Sequence, residues 1–323
     1  MLTGKKEQFL LHSQALMGNL IGDSPDRSVH VYLPPSYAGD NDRRYPVLYM
    51  LHGFTDSDIK WFGAEEHWIN LPAIADSAIQ NEVPQEMIIV MPNAHNSFKG
   101  SMYSTSVTVG DWETFVAREL VDHIDANYRT LANKDSRGLA GHSMGGYGTI
   151  RLAMKYPDTF GAIYMLSACC MGTNVFANEG LMKNVAAVTS KEQLADQPFF
   201  VAATLASAAA WAPNPNKAPL FLDVPFKDGK VDEEIINKYH ANAPLFMLDQ
   251  YIPHIKKLNA IALDAGAQDF GISGATKQLH ERLEAYGIQH VYESYEGDHV
   301  NKIGERIYSE VLPFFSKELV FGD

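Results

Sequence analysis

The sequence predicts an α/β fold: a mostly parallel central sheet with helices on both faces and an inserted cap. Three observations carry this. Residues 46–51 and 87–91 are apolar runs without alternation, as in strands covered on both sides. Segments with helical spacing separate these runs. The same alternation resumes after a long interruption, and strand–helix alternation means parallel strands joined by right-handed crossovers.

In chain order, residues 28–33 alternate apolar and polar and then meet Pro34-Pro35, which predicts an outer strand ending in a turn. Strands follow at 46–51, before His52-Gly53, and at 87–91, before Pro92-Asn93, with helical spacing over 69–81 between them. A helix is predicted over 112–128, where Phe115, Leu120, Ile124 and Tyr128 fall near one face. A strand at 137–140, a helix at 144–155 and a strand at 160–166 continue the rhythm. The last part reads as strand 258–263, helix 274–286, strand 289–295 and a closing helix over 302–317. Residues 171–250 break the pattern with Trp211-Ala212-Pro213-Asn214-Pro215-Asn216 and a polar stretch at 227–237. They are expected to pack over one end of the sheet as a cap within a single domain spanning 1–323.

Composition narrows the function classes. An apolar fraction of 46% with 20% charged residues is that of a globular protein. A formal charge of −13 argues against a nucleic-acid partner, which needs clustered Lys and Arg. The alanine-rich stretch 199–212 is too short to span a bilayer and reads as a buried helix, so no membrane insertion is expected. Residues 1–18 carry two lysines but no apolar core of signal-peptide length. Nothing there directs export, and an exported chain lacking its leader would read the same. Cys169 and Cys170 are adjacent and can bridge only through a strained ring, so they are read as packing residues at a strand end, with no disulfide framework or zinc site. Nothing in the sequence sets an oligomeric state.

The chemistry centres on Ser143 in Gly141-His142-Ser143-Met144-Gly145-Gly146-Tyr147-Gly148, between a strand and a helix. This is the context of a G-x-S-x-G nucleophile elbow, where the serine takes a strained backbone and the flanking glycines avoid collisions. A serine hydroxyl needs a base, and the base needs an orienting carboxylate, here in the order Ser, Asp or Glu, His. His299, just past the last strand and before the last helix, is the expected base. The loop after the preceding strand offers Asp264 and Asp269. Asp269 is favoured, because it lies farther along the loop and can reach sideways, whereas Asp264 could equally cap the turn. Asp298 reads as a turn residue, because successive side chains point apart. The oxyanion of an acyl-transfer intermediate needs two N–H donors, expected from the amides of Met144 and Phe54.

Arg44-Tyr45-Pro46-Val47-Leu48-Tyr49-Met50-Leu51-His52-Gly53, the elbow, Asp264-Ala265-Gly266-Ala267-Gln268-Asp269 and Gly297-Asp298-His299 together resemble one esterase family of α/β-hydrolases. That family includes esterase D, feruloyl esterases, enterochelin esterases and mycolyltransferases. The resemblance implies the α/β-hydrolase fold and a serine carboxylic-ester hydrolase with Ser143, Asp269 and His299 as nucleophile, orienting acid and base. It implies a small-molecule ester substrate, with no metal and no cofactor. The same triad would serve an acyltransferase or an S-formylglutathione hydrolase-type thioesterase. The latter reading is weakened because this chain has His52-Gly53-Phe54-Thr55-Asp56 where those enzymes carry Ser-Gly-Leu. Trp61, Phe62, Trp112, Trp211 and Phe226 are candidates to line an aromatic acyl pocket. With all three triad positions filled, a non-catalytic binding module is disfavoured.

Overall fold

The computed structural model describes residues 2–81, 84–172, 178–227 and 229–322. Strands β1 (Lys5–His12), β2 (Asp26–Leu33), β3 (Val47–Leu51), β4 (Ile88–Pro92), β5 (Arg137–His142), β6 (Ala162–Leu166), β7 (Ala260–Gly266) and β8 (Val291–Tyr295) form one sheet in the order β1-β2-β4-β3-β5-β6-β7-β8. Pairing is parallel from β4 through β8, and β2 runs antiparallel to both of its neighbours. Chain order and spatial order therefore differ only where β3 and β4 exchange places.

The absence of alternation in the apolar runs has its expected meaning. Every residue of β3, β4, β5 and β6 is buried. Successive side chains of β3 go to opposite sides: Val47, Tyr49 and Leu51 join one apolar cluster, and Leu48 and Met50 join the other. The first cluster is completed by a helical run over 112–127, here α2, and by α3 (Met144–Lys155). The second is completed by α1 (Leu71–Gln80) and the closing helical run 303–318. Each fully covered Leu or Val contributes roughly 1.5–3 kcal/mol.

Three expectations need correction. Residues 28–33 are not an outer strand: β1 pairs along the whole of β2 and is itself the edge. β1 escapes a sequence reading because it is half exposed and begins Lys5-Lys6-Glu7, charges that suit a strand edge left open to solvent. The helix over 112–128 is three pieces, Trp112–Thr114, a π-helical turn Phe115–Glu119 and Leu120–Asn127, and the closing helix holds a π-helical turn at Ile307–Val311. The interruption in the strand–helix rhythm runs past residue 250, because its last helix ends at Ile255. Residues 173–177 and 228 of that interval lie outside the described residues.

Within the interval stand α4 (Glu179–Ala186), α5 (Phe199–Trp211), α6 (Glu233–His240) and α7 (Pro244–Ile255). α5 is covered at its carboxyl end and anchored there, since the Trp211 indole donates to Ser104 Oγ at 3.2 Å and Ser106 Oγ donates to Ala209 O at 2.7 Å. At its start Phe199 is half exposed and meets the Phe54 ring edge-on at 5.6 Å. The inserted helix thus touches the loop that leaves β3.

Candidate active site

Four parallel strands end on the same edge of the sheet, and the residues that follow β3, β5, β7 and β8 are those singled out from sequence. Crevices at the carboxyl ends of such strands are where α/β sheets bind ligands.

Ser143 stands between β5 and α3 with φ 56° and ψ −113°. A non-glycine residue there costs about 1–3 kcal/mol and is kept only where its surroundings fix it. Here the Ser143 N–H donates to Leu166 O at 3.0 Å, and its carbonyl accepts from Tyr147 and Cys169 at 3.0 and 3.1 Å. The glycines are required by contact. A Cβ on Gly145 would sit 2.0 Å from Leu51 O, and one on Gly141 would sit 2.3 Å from the Gly145 carbonyl carbon.

His299 Nδ1 lies 2.7 Å from Asp269 Oδ2, and its Nε2 lies 3.0 Å from Ser143 Oγ. A carboxylate can only accept, so Nδ1 carries the hydrogen and Nε2 turns its lone pair to the serine hydroxyl. Asp269 is nearly covered at 7% side-chain exposure, whereas His299 is 34% exposed and reachable from outside. The loops that carry Asp269 and His299 are tied together. Gln268 N–H donates to Gly297 O at 3.0 Å, Gly297 N–H returns a bond to Gln268 Oε1 at 2.6 Å, and Ala267 N–H donates to Tyr295 O at 2.7 Å.

The two other carboxylates have separate employment. Asp264 is wholly buried, accepting from Arg306 Nε at 2.9 Å and Tyr164 Oη at 2.8 Å. Burial pushes its carboxyl up, to about 6, against the pull of Arg306. Asp298 is exposed and accepts from the amides of Val300 and Asn301, each at 2.8 Å, as a turn residue does.

Met144 opens α3, so its N–H is one of the first-turn amides without an intrahelical acceptor. Among the described residues the Phe54 amide also has no acceptor. The Phe54 ring and the Met144 thioether converge over Gly100, where a Cβ would meet them at 2.5 and 2.7 Å. The loop carrying Phe54 rests on His52, whose Nε2 accepts from Ala94 N–H at 2.9 Å while Nδ1–H donates to Gly53 O at 2.8 Å. Burial lowers the pKa of this imidazole, in keeping with a neutral ring locked in one tautomer.

The proposed pocket residues fare unevenly. Trp211 is 9% exposed and packs on Tyr147, one turn past Ser143, at 5.5 Å. Trp61 and Phe62 are fully buried. Trp61 donates to Asp56 Oδ2 at 3.0 Å and faces His142 at 6.3 Å. Trp112 is a core side chain between Arg27 and Phe115, donating to Val109 O at 2.9 Å. Phe226 belongs to a two-residue ribbon opposite Val231. Large aromatic rings fill cores as readily as pockets, and sequence does not separate the two.

One residue was overlooked. His142, directly before Ser143, is buried and points Nε2 at the main-chain carbonyl of His299, 2.8 Å away. Burial and the neighbouring His299 hold its pKa down, to about 3. Its place in the elbow motif was the available signal. Among the described residues no cluster of His, Cys, Asp or Glu could hold a metal ion, and no helix is long and apolar enough to cross a membrane.

Residues 24–303 match a family described as "Putative esterase". The chain is 38% identical over 142 residues to an esterase of Mycobacterium tuberculosis, a stretch covering 43% of this chain and 28% of that protein. It is 33% identical over 146 residues to an endo-1,4-beta-xylanase/feruloyl esterase of Xylanibacter ruminicola, covering 44% of this chain and 19% of that one. The matched stretches are thus less than a third of these relatives' lengths. A ferulic acid esterase structure superposes with a TM-score of 0.66 at 22% identity, covering 99% of this chain and 100% of its own. An S-formylglutathione hydrolase from Staphylococcus aureus gives 0.62 at 18% identity, covering 97% and 99%. At such identities the likeness is one of fold, and the fold is that of α/β-hydrolase-type esterases.

Proposed function

The chain belongs to that esterase family, and from this premise we propose that it is a serine carboxylesterase acting on small acyl or aryl esters through an acyl-enzyme. The observation that carries the reading is His299, within hydrogen-bonding reach of both Ser143 and Asp269.

His299 Nε2 removes the Ser143 proton as Oγ attacks the ester carbonyl, and Asp269 holds the imidazole and its developing charge. The amides of Met144 and Phe54 receive the oxyanion. His299 then delivers the proton to the departing alcohol, and water repeats the sequence to release the acid. The inserted helices α4 to α7 act as the cap. The acyl group lies between the elbow and α5, against Phe54, Phe199 and Trp211, an aromatic surface that favours an aryl acyl group.

The test is a burst of p-nitrophenol from p-nitrophenyl acetate, followed by kcat/KM for methyl ferulate against short-chain methyl esters. A burst with preference for the ferulate supports the reading. No burst and no labelling of Ser143 by a fluorophosphonate would overturn it. An added alcohol acceptor that yields new esters at the expense of free acid would move the assignment to acyl transfer.

A further inference from the structure

Cys169 and Cys170 are more than packing at a strand end. Both thiols are half-buried, beyond the carboxyl end of β6, with their sulfurs 2.8 Å apart. The Cys169 N–H donates to the Ser143 carbonyl at 3.1 Å. Cys170 has a left-handed backbone, φ 61°, a conformation that a cysteine keeps only when held there. Burial raises the pKa values of Tyr147 and Tyr239, nearby Cys170 adds to the shift of each, and Trp211 packs on both rings at 5.5 and 5.1 Å. The pair therefore joins the main chain of the nucleophile to the inserted helices, and esterolysis uses neither thiol.

We propose that Cys169 and Cys170 form an oxidation site for hydroperoxides, and that closure of the pair to a vicinal disulfide pulls Cys169 away from Ser143 and lowers turnover. The loss of turnover rests on the reading of Ser143 as nucleophile; the thiol chemistry does not. The hydrogen bond to Cys170 and burial keep the Cys169 thiol well above its ordinary pKa, so Cys169 stays protonated until the second step.

The Cys170 thiolate attacks the terminal oxygen of the hydroperoxide. An S–O bond forms, the O–O bond breaks, and the alcohol leaves after taking a proton, so that Cys170 becomes a sulfenic acid. The Cys169 sulfur then gives up its proton and attacks the Cys170 sulfur; the S–S bond forms, the S–O bond breaks, and water departs. In sum, two thiols and one hydroperoxide give a disulfide, an alcohol and water. Adjacent Cα atoms stand about 3.8 Å apart, short of the roughly 4.4–6.8 Å that disulfides span, so the ring is strained and readily reduced. Oxidation is thereby reversible.

The chain has only these two cysteines, which makes the readout unambiguous. Purified protein is treated with tert-butyl hydroperoxide, and intact mass, free thiols, p-nitrophenyl acetate turnover and fluorophosphonate labelling are followed before and after dithiothreitol. The expected result is a mass loss of two hydrogens and roughly a hundredfold fall in turnover and labelling rate, the size that a displacement of about 1 Å at a reacting group produces. Dithiothreitol reverses both. Cys170→Ser, compared with its own untreated rate, shows no reversible loss. The proposal is overturned if both thiols survive treatment, if the disulfide forms between two chains, if it forms while activity is retained, or if Cys170→Ser is inactivated to the same extent. Absent turnover and labelling in untreated protein would instead count against the esterase reading, with mass alone deciding the thiol chemistry.

Discussion

His142 donates its Nε2–H to the main-chain carbonyl of His299, so the residue preceding Ser143 holds the loop that carries His299. Its other nitrogen, Nδ1, is buried and has no hydrogen-bond partner among the described residues. His142→Ala should lower kcat by about 10–100-fold with KM little changed, because the lost bond positions the base and does not bind substrate. Equal losses in kcat and in folded fraction would reduce His142 to a packing residue.

Ser143→Ala should lower kcat by about a millionfold if the three residues act as a unit, the size the handful of subtilisin triad knockouts gives. Steady-state turnover of p-nitrophenyl acetate, with folding checked by circular dichroism, measures it. Near-full activity would remove Ser143 from the mechanism.

Asp269 and Asp264 should separate cleanly. Asp269→Asn removes the acceptor that fixes the His299 tautomer and should cost about 10⁴ in kcat. Asp264→Asn should leave kcat within an order of magnitude but cost about 1–3 kcal/mol of stability, since Arg306 and Tyr164 lose a buried charged partner. Urea unfolding beside kinetics on both variants would expose the reverse pattern if the assignment is wrong.

Gly145→Ala should fail to fold or be destabilised by several kcal/mol. The new methyl would stand 2.0 Å from Leu51 O, and backbone at the meeting of β3 and α3 cannot yield as a flexible side chain does. Wild-type melting behaviour in that variant would contradict the close approach.

Stability should fall on acidification below pH 6.5, and His142 should account for part of the slope. Its pKa drops from an ordinary 6.5 to about 3 on folding. Above pH 6.5 both states are neutral and nothing changes. As pH falls from there towards 3, the unfolded chain takes up a proton that the native ring refuses, so native stability is lost by up to about 1.4 kcal/mol per pH unit. Chemical denaturation at pH 7.5, 5.5 and 4.5 should show a shallower decline in His142→Gln than in the parent. Identical slopes would mean that the ring is not held neutral.

Much of the architecture was legible because its signals are local. An apolar run without alternation reports a strand covered on both faces whatever its neighbours are. The elbow is written in eight consecutive residues, because the close approach of Gly141 and Gly145 is enforced within a single turn. β1 was illegible for the complementary reason: an edge strand buries little, so its pattern carries little.

What the chain by itself determined is therefore the parallel α/β layering, the elbow, and the order in which a hydroxyl, a carboxylate loop and an imidazole occur. Only tertiary structure decided which carboxylate faces His299, that His142 grips the His299 loop, that Trp112 is core while Trp211 packs beside the elbow, and that the Cys169 amide bonds to the Ser143 carbonyl. The reason is separation along the chain. Spacing of a few residues fixes a turn or a helix face, but contacts between residues 30 to 157 positions apart exist only once the sheet has brought its strand ends to one edge.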